Sequence, residues 1–375
     1  MPKVLHLFKT YFPDTQGGLE EAIRQIGKHS VKNGYEAKVV YVSKNPQKLV
    51  QEGIETESFK YSFGRASSPF SFSLIRNFRR LIKDCDIIHI YYPYPLTELL
   101  TLFSFTKKPI VLTYICKVCR PRWFNFVYYP FHVALLRKAK VIVPININLT
   151  KSIAILSKFK EKVFPVNLWI DEERAQRPRS VSEEYEILVQ ESPNYALFVG
   201  VLRWYKGLDF LLDASKKVEG KVLVVGKGPM MSHLKERLEK ESIKNVVLLG
   251  YVPDDDMFYL MQNCRFFILP SISPAEAFGQ VLLEASYNFK PMITTELGTG
   301  TSFVNCDGET GFVVKPNDVD ALADAMKKLF ADDRLCQEYG HNANKRLYKY
   351  FSEEVEGEKY IRLYDQVLKG EKPRV

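Results

Sequence analysis

The stretch CRFFILPSISPAEAFGQVLLEA, residues 264–285, contains two apolar runs, and the second lies between two glutamates. The first run, FFILPS, is typical of a buried strand, and the segment FGQVLLEASYNF that follows is typical of a helix. In doubly wound α/β sheets, which repeat this strand–helix unit, ligands bind outside the carboxyl ends of the strands. Glu276 and Glu284 therefore lie where the chain would meet a ligand.

The same alternation extends from this stretch in both directions. Short apolar runs separated by helical segments include KVLHLF, EAKVVYVS, CDIIHIYY, PIVLTYI, AKVIVPIN, YALFVG, KVLVVG, NVVLLG, KPMITT and GFVVKP. The charged segment 170–194 has little periodicity and predicts a domain linker. We therefore predict an α/β chain with two Rossmann-like domains, residues 1–180 and 190–352, and an interdomain cleft for the ligand. Residues 353–375 are predicted to form a helix that packs back across the domain junction.

Composition excludes several classes of protein. The 375 residues are 46% hydrophobic and 26% charged, which is typical of a folded globular chain. No apolar run approaches the roughly 18 residues of a membrane-spanning helix, and the N-terminus MPKVLHLFKTYFPD lacks the features of a signal peptide, so a cytoplasmic location is predicted. The six cysteines are too sparse for a disulfide scaffold. Cys116 and Cys119 form a lone C-x-x-C, so no metal site is expected.

Positive charge is concentrated in the first half of the chain. Residues 1–185 contain 29 Lys/Arg against 16 Asp/Glu, and residues 99–160 contain 11 Lys/Arg and no acidic residue. Aromatic residues are interleaved there: Trp123, Phe124, Phe126, Tyr128, Tyr129 and Phe131. The stretch from Lys107 to Lys140 is predicted to rest on an anionic membrane surface, the alternative being a core helix with a solvated face. Nucleic acid is not an expected partner, because no recognition module is present.

The two glutamates suggest contacts with one extended ligand. They are eight residues apart, about two helical turns, so Glu276 before the helix and Glu284 within it could touch opposite ends of that ligand. A carboxylate accepts hydrogen bonds well from a pair of vicinal hydroxyls such as those of ribose, which suits Glu284. The alternative is that Glu276 only caps the helix and Glu284 is a paired surface residue.

Three glycine-containing loops also follow predicted strands. In FVGVLRWYKGLDFLLDA, Arg203 and Lys206 are two cations that could neutralise a diphosphate. In VLVVGKGPMM, Gly228 marks a tight turn, and in TYFPDTQGGLEEA, Gly17 and Gly18 allow close backbone approach before a helix whose amides suit phosphate. Each alone is more often a solvated loop or a plain turn. Together the loops and the glutamates predict a nucleotide diphosphate site.

These motifs resemble a known family. EAFGQVLLE resembles the Glu-x7-Glu motif of retaining glycosyltransferases of family 4, which have the GT-B fold of two facing Rossmann-like domains. The resemblance extends along nearly the whole chain through KTYFPDTQGGLEEAI, VGVLRWYKGLDFLLDA, VVGKGPM, LGYVPDDD and TELGTGTSFVNCDGETGFVVKPND. By type, the chain is similar to bacterial enzymes that add mannose or a related sugar to lipid-linked O-antigen or polysaccharide precursors, often from GDP-mannose.

By matching position, the resemblance implies roles around the donor. Glu276 would lie near the donor sugar, and Phe278 and Gly279 would present backbone amides to the sugar or phosphate. Glu284 would bind the ribose. Lys206, in the Lys-Gly pair of the family, would hold the diphosphate.

Gly18, which matches the family pattern, would let the backbone approach the diphosphate. Other positions depart from that pattern. Arg203 is expected to reach the phosphates, although many members have their arginine at the position of Val201. Many relatives have a histidine at the sugar where this chain has Ile115. His89, at the end of a neighbouring strand, could substitute as a catalytic residue, although a lone histidine after an apolar run is more often structural.

The resemblance implies a retaining transferase that moves a hexose, with mannose from GDP-mannose expected, to a lipid-linked oligosaccharide in surface polysaccharide synthesis. It would need no cofactor beyond its nucleotide-sugar donor and no metal, and would lie on the inner face of the bacterial cell membrane. Ile115 motivates an alternative, a non-catalytic sugar-nucleotide-binding or partner subunit, which would bind nucleotide without turnover. A dinucleotide-dependent oxidoreductase is disfavoured because a full glycine fingerprint is missing.

Overall fold

A computed structural model describes residues 1–15, 17–65, 68–116, 122–176 and 180–374, without the side chains of residues 65 and 122–127. The chain divides into two compact units. The first contains Met1–Leu168 and Glu353–Val375, and the second contains Trp169–Ser352. No helix in the described ranges combines the length and apolar character needed to cross a membrane.

Strands and helices alternate along both units. The strands are β1 Lys3–Leu7, β2 Glu36–Ser43, β3 Lys48–Gln51, β4 Ile54–Lys60, β5 Phe63–Arg65, β6 Ser68–Phe70, β7 Ile87–Tyr92, β8 Ile110–Tyr114, β9 Val141–Pro144, β10 Tyr195–Val199, β11 Lys221–Val225, β12 Val246–Gly250, β13 Phe266–Leu269, β14 Met292–Thr295 and β15 Gly311–Val314. The α-helices are α1 Gly18–Lys32, α2 Phe72–Lys83, α3 Pro95–Phe103, α4 Arg122–Lys138, α5 Ile147–Ser152, α6 Glu172–Ala175, α7 Glu183–Glu191, α8 Leu208–Ser215, α9 Met231–Lys240, α10 Asp254–Asn263, α11 Val281–Tyr287, α12 Thr301–Val304, α13 Val319–Ala331, α14 Asp333–Tyr350 and α15 Glu358–Lys369. Short 3-10 turns lie at Ala154–Lys162 and Trp204–Lys206, and a π-helical turn lies at Glu353–Gly357.

The first unit is built on a sheet in the order β3-β4-β2-β1-β7-β8-β9. All neighbours in it are parallel except β3 and β4. Strand β7 has the sequence IIHIYY and is buried along its whole length, as expected for a parallel strand with both faces covered. Helix α15 belongs to this unit and buries Tyr360 and Tyr364.

The second unit has a parallel sheet in the order β12-β11-β10-β13-β14-β15. Numbered within the unit this order is 3-2-1-4-5-6, in which the direction of winding reverses between the first and fourth strands. The reversal falls between β10 and β13, so a crevice is expected at the carboxyl ends of these two strands. That crevice is the usual ligand position in an open α/β sheet.

The predicted α/β class with two Rossmann-like domains is confirmed by these two sheets. Strands β3 to β6 were not predicted from the sequence. Strand β4 reads IETESFK, and its polar character hid it: Glu57 on it is buried and pairs with Lys38 at 2.8 Å and with Arg80 at 2.6 Å. These two cations hold the pKa of Glu57 at about 2, although burial acts to raise it.

Two predicted boundaries differ from the structure. Helix α11 begins at Val281 rather than near Phe278, because Gly279 has a φ of +78° that breaks helical geometry. The segment 170–194, interpreted as a linker, lies in the second unit and contains α6 and α7. There the backbone N–H and side-chain hydroxyl of Ser182 donate to the carboxylate of Asp256 at 2.7 and 2.8 Å.

Candidate functional site

A buried ion pair occupies the point where the second sheet reverses direction. Lys206 follows β10 and Glu276 follows β13, and the Nζ of Lys206 lies 2.5 Å from Oε2 of Glu276. The two side chains are only 11% and 10% exposed. The Ser271 hydroxyl donates to the same carboxylate oxygen at 3.2 Å. A cation and an anion are thus held side by side at the carboxyl ends of adjacent strands.

The loops carrying this pair are in close backbone contact. The N–H of Ile272 donates to the carbonyl of Tyr205 at 2.8 Å. Gly207 has a φ of +72°, and a Cβ atom there would lie 1.9 Å from the carbonyl oxygen of Pro270. Only glycine permits both this backbone conformation and this approach. Gly207 therefore holds together the two loops that position Lys206 and Glu276.

Glu284 has a partner that the sequence analysis did not identify. Nη1 of Arg174 donates to Oε1 of Glu284 at 2.8 Å, and Nε of the same arginine donates to Oδ2 of Asp254 at 3.0 Å. The side chain of Glu284 is 12% exposed. Arg174 lies on α6, inside the segment that was interpreted as a linker. The sequence of that segment has no motif that indicates a binding residue.

Phe278 and Gly279 lie in the turn between Glu276 and α11. The Phe278 side chain is 3% exposed and packs edge-on against Phe351 with ring centroids 6.0 Å apart. A Cβ on Gly300 would lie 2.7 Å from the Phe278 ring, so the loop at residue 300 packs closely on this turn. Phe278 is therefore a core anchor for the turn, and a ligand contact by the backbone amides of Phe278 and Gly279 stays a prediction.

Arg203 and Gly228 lie in loops that contact each other. Arg203 is exposed, next to the 3-10 turn that carries Lys206. A Cβ on Gly228 would lie 2.5 Å from the carbonyl oxygen of Leu202, and the N–H of Met230 donates to that oxygen at 3.0 Å. Gly228 is thus required for loop packing. Its predicted role in ligand binding and that of Arg203 remain predictions.

Gly17 and Gly18 lie in the first unit, at the start of α1 after β1. Gly17 has extended backbone angles, and a Cβ on it would lie 2.9 Å from Oε2 of Glu20. The other carboxylate oxygen of Glu20 accepts hydrogen bonds from the hydroxyls of Thr10 and Thr15 at 2.7 and 2.9 Å. Glu20, which the sequence analysis did not single out, therefore organises the loop between β1 and α1.

His89 does not have the environment of a catalytic residue. Its side chain is fully buried in the first unit, with Nδ1 2.6 Å from the Tyr364 hydroxyl and Nε2 2.7 Å from the Thr113 hydroxyl. Both ring nitrogens are thus engaged inside the protein, and burial lowers its pKa well below the usual value. The structural interpretation of His89 is favoured over the catalytic one, and we omit it from the proposed catalytic residues. Ile115 is also buried, at 3% exposure.

Buried histidines predict a loss of stability in mild acid. Burial lowers the pKa of His6 to about 3, that of His132 to about 4 and that of His89 well below 6.5, so all three stay neutral in the folded state above about pH 5. In the unfolded chain they take up protons below about pH 6.5. The unfolded state then binds more protons, so we expect the free energy of unfolding to fall by about 5 kcal/mol between pH 6.5 and pH 5.

Urea unfolding at several pH values measures this effect. His6→Gln is expected to remove about a third of this loss between pH 6.5 and pH 5, and His341→Gln, at an exposed position, is the matched control. A stability that stays constant from pH 6.5 to pH 5 would contradict the prediction.

No group of three or more histidine, cysteine or acidic side chains within the described ranges is arranged to hold a metal ion. Cys116 is described, and Cys119 of the C-x-x-C motif lies outside the described residues.

Two family models match the chain. The model described as Glycosyltransferase Family 4 matches residues 16–144, and the model described as Glycosyl transferases group 1 matches residues 182–346. The first therefore covers the loop with Gly17 and Gly18. The second covers Lys206, Glu276 and Glu284.

Whole-length relatives agree with these matches. The chain is 32% identical to O-antigen chain mannosyltransferase C of Escherichia coli, over 98% of this chain and 99% of the relative. It is 34% identical to D-rhamnosyltransferase WbpZ of Pseudomonas aeruginosa, over 93% of this chain and 92% of the relative. The solved structure of HepE from Anabaena in complex with UDP superposes with a TM-score of 0.79 at 17% identity, covering 97% of this chain and 100% of that chain. The GT-B fold prediction is confirmed.

Proposed function

Because this chain belongs to glycosyltransferase family 4, we propose that it is a retaining transferase that moves mannose from GDP-mannose to a lipid-linked oligosaccharide. The family and the relatives make it a glycosyltransferase of O-antigen or polysaccharide synthesis. The mannosyl and rhamnosyl relatives favour a sugar of the manno configuration, since D-rhamnose is 6-deoxymannose. The proposal includes the guanine base of the donor, the lipid-linked oligosaccharide acceptor and the retention of anomeric configuration.

The pairing of Lys206 with Glu276 carries the proposal. A nucleotide diphosphate sugar needs a cation for its phosphates and acceptors for its sugar hydroxyls, at adjacent positions. Lys206 and Glu276 supply these two groups at the point of a doubly wound sheet where nucleotides usually bind. When the donor binds, the ammonium of Lys206 is expected to exchange Glu276 for a phosphate oxygen.

The reaction breaks the bond between the sugar C1 and the β-phosphate oxygen and forms a bond from C1 to the acceptor oxygen on the same face. The proton of the acceptor hydroxyl passes to the departing phosphate. Negative charge grows on that phosphate in the transition state, and Lys206 together with Arg203 would stabilise it electrostatically. Glu276 would hold the sugar in position for the transfer.

A polar pocket in the first unit supports binding of a glycan acceptor. It has a volume of about 490 Å³ and lies beyond the carboxyl ends of β1, β2 and β4. Its lining combines hydroxyl, amide, charged and aromatic groups suited to sugar hydroxyls: Thr10, Asp14, Thr15, Val42, Ser43, Lys44, Asn45, Tyr61 and Pro69. The adjacent β5–β6 hairpin carries Phe63, which stacks on Phe70 at 4.5 Å and is 53% exposed. Such a ring suits contact with a sugar face or a lipid.

Exposed aromatic residues on α3 and α4 and just after α3 support membrane association. They are Phe103, Phe105, Tyr129 and Phe131, which are 60%, 84%, 49% and 36% exposed. The rings of Phe103 and Phe131 lie 6.2 Å apart, and Lys107 and Lys108 follow in sequence. The side chains of Trp123, Phe124 and Phe126, also predicted for this surface, lie outside the described residues. Aromatic rings beside lysines are typical of surfaces that bind anionic lipid.

Replacing Phe103 and Phe105 with serine is expected to weaken binding to vesicles that contain phosphatidylglycerol by about tenfold or more, because two exposed rings can no longer enter the interface. Co-sedimentation at two salt concentrations measures this. Val50→Ser is the matched control, since Val50 is 70% exposed but lies on β3. Equal binding of the double variant and the wild type would contradict the prediction.

Transfer from labelled GDP-mannose, GDP-D-rhamnose, UDP-glucose and UDP-galactose into a bacterial lipid-linked oligosaccharide extract tests the proposal. We expect transfer from GDP-mannose that is lost in Glu276→Ala, and retention of the anomeric configuration in the product. If the enzyme transfers a sugar from another donor instead, GDP-mannose is wrong as the donor and the donor that is used takes its place. Saturable nucleotide binding without transfer, beside a competent control enzyme, would instead support the non-catalytic alternative.

A further inference from the structure

The arginine that contacts Glu284 also contacts a second carboxylate. Through separate nitrogens Arg174 reaches Glu284 at 2.8 Å and Asp254 at 3.0 Å, and its guanidinium carbon lies 5.4 Å from the ring centroid of Phe258. A planar guanidinium held at two edges and one face has little rotational freedom. Its position therefore constrains the orientation of the Glu284 carboxylate.

The backbone beneath Arg174 is also anchored. The side chain of Asp171 caps α6 by accepting from the N–H of Arg174 at 3.2 Å. Just before it, the N–H of Ile170 donates to the carbonyl of Phe351 at 3.0 Å. Helix α6 also packs against α11, the helix that carries Glu284. The backbone that carries Arg174 and the backbone that carries Glu284 are therefore both held in place by packing.

The Arg174 side chain is 32% exposed, and a pair at this exposure contributes little to folding stability. The same contact has a larger consequence for a ligand. A carboxylate offers about four lone-pair sites, so an arginine at one oxygen is compatible with hydroxyl donors at the remaining sites. A carboxylate already oriented by an arginine loses less entropy when those hydroxyls bind.

We propose that Arg174 is a positioning residue for the nucleotide ribose: it holds Glu284 in the orientation that accepts the two ribose hydroxyls, and so sets how strongly binding depends on them. This inference rests on the proposed donor-binding function. It assigns Arg174 no contact with the diphosphate. The arginine acts only through Glu284, and Asp254 supports it from the other side.

Calorimetric titration with GDP and with 2′,3′-dideoxy-GDP tests the proposal in the full-length protein, and the uridine pair is used in the same way if UDP binds more tightly than GDP. For Arg174→Met we expect GDP affinity to fall about tenfold, which corresponds to the loss of one hydrogen bond to a charged group. The affinity for dideoxy-GDP should change less than twofold. Glu284→Gln should show the same selective loss. Combining the two substitutions should give no further loss, because they remove one interaction.

Controls separate positioning from other roles. Asp254→Asn should produce a smaller loss confined to GDP, and Arg174→Lys should recover part of the selectivity while thermal unfolding stays close to wild type. An equal loss for both nucleotides in Arg174→Met would overturn the proposal, because that result indicates phosphate contact or a folding defect. If Glu284→Gln still binds nucleotide and keeps its preference for GDP over dideoxy-GDP, then Glu284 does not bind the ribose and the proposal fails. If the wild type binds no nucleotide, the proposed donor-binding function itself is contradicted.

Discussion

Replacing Lys206 with methionine is expected to lower kcat/KM for sugar transfer by about 10³-fold. Lys206 would face the phosphate on which negative charge grows, and removal of one such electrostatic contact typically costs two to three orders of magnitude in rate. The loss should appear in kcat as well as in KM, because the interaction strengthens as the bond to phosphate breaks. Steady-state kinetics with the donor identified by the transfer panel measure both constants.

The same substitution also affects stability. It leaves Glu276, whose side chain is 10% exposed, without its cation, and removal of one partner from a buried pair costs about 3 kcal/mol or more. In the double variant Lys206→Met/Glu276→Gln no buried charge remains, so we expect most of the stability to return while transfer stays absent. Recovery of transfer together with stability in the double variant would show that the pair has only a structural role.

Gly207→Ala is expected to destabilise the second unit by more than about 4 kcal/mol or to prevent its folding. A Cβ atom at Gly207 would lie 1.9 Å from the Pro270 carbonyl oxygen and 2.9 Å from its carbon, so the backbone of one loop would have to move. Core overpacking and backbone strain of this kind are among the few causes of such large single-residue effects. Any variant that folds should also bind nucleotide more weakly, because the same loops carry Lys206 and Glu276.

Gly250→Ala is a closely matched control. Gly250 has a φ of +74°, close to the +72° of Gly207, but a Cβ there would meet no atom within 4 Å. Gly250→Ala should lower the free energy of unfolding only by the strain of placing alanine in the left-handed backbone conformation, about 1–2 kcal/mol. Urea unfolding of the two variants therefore separates steric clash from backbone strain. Equal destabilisation of the two would refute the argument that contact with Pro270 requires glycine.

The sequence predicted the strands of both sheets that read as apolar runs, because a parallel strand covered on both faces must be nearly continuous in apolar residues. It missed β4, whose carboxylate at Glu57 is neutralised by Lys38 from β2 and Arg80 from α2. Lys38 and Arg80 are both distant from Glu57 in the sequence, so a local sequence pattern does not reveal these partners. Burial of a charged side chain depends on partners supplied by other elements.

The predicted site residues show the same limit. Lys206 and Glu276 were each identified from a loop after a strand, but their contact spans 70 residues and exists because β10 and β13 are neighbours. Arg174 is 110 residues from Glu284, in a segment without a recognisable pattern. His89 was considered as a catalytic residue because it lies at a strand end, and its contact with Tyr364, 275 residues later on α15, could not be read from the local sequence.

The sequence by itself determined that this chain has two Rossmann-like sheets and which loops follow their strands. Those properties depend on local composition: apolar runs, helical spacing and glycines at turns. Only the tertiary structure decided which charged groups meet. The order of strands in a sheet, and the packing of a distant helix on it, bring together residues far apart in the chain, and no local pattern records that pairing.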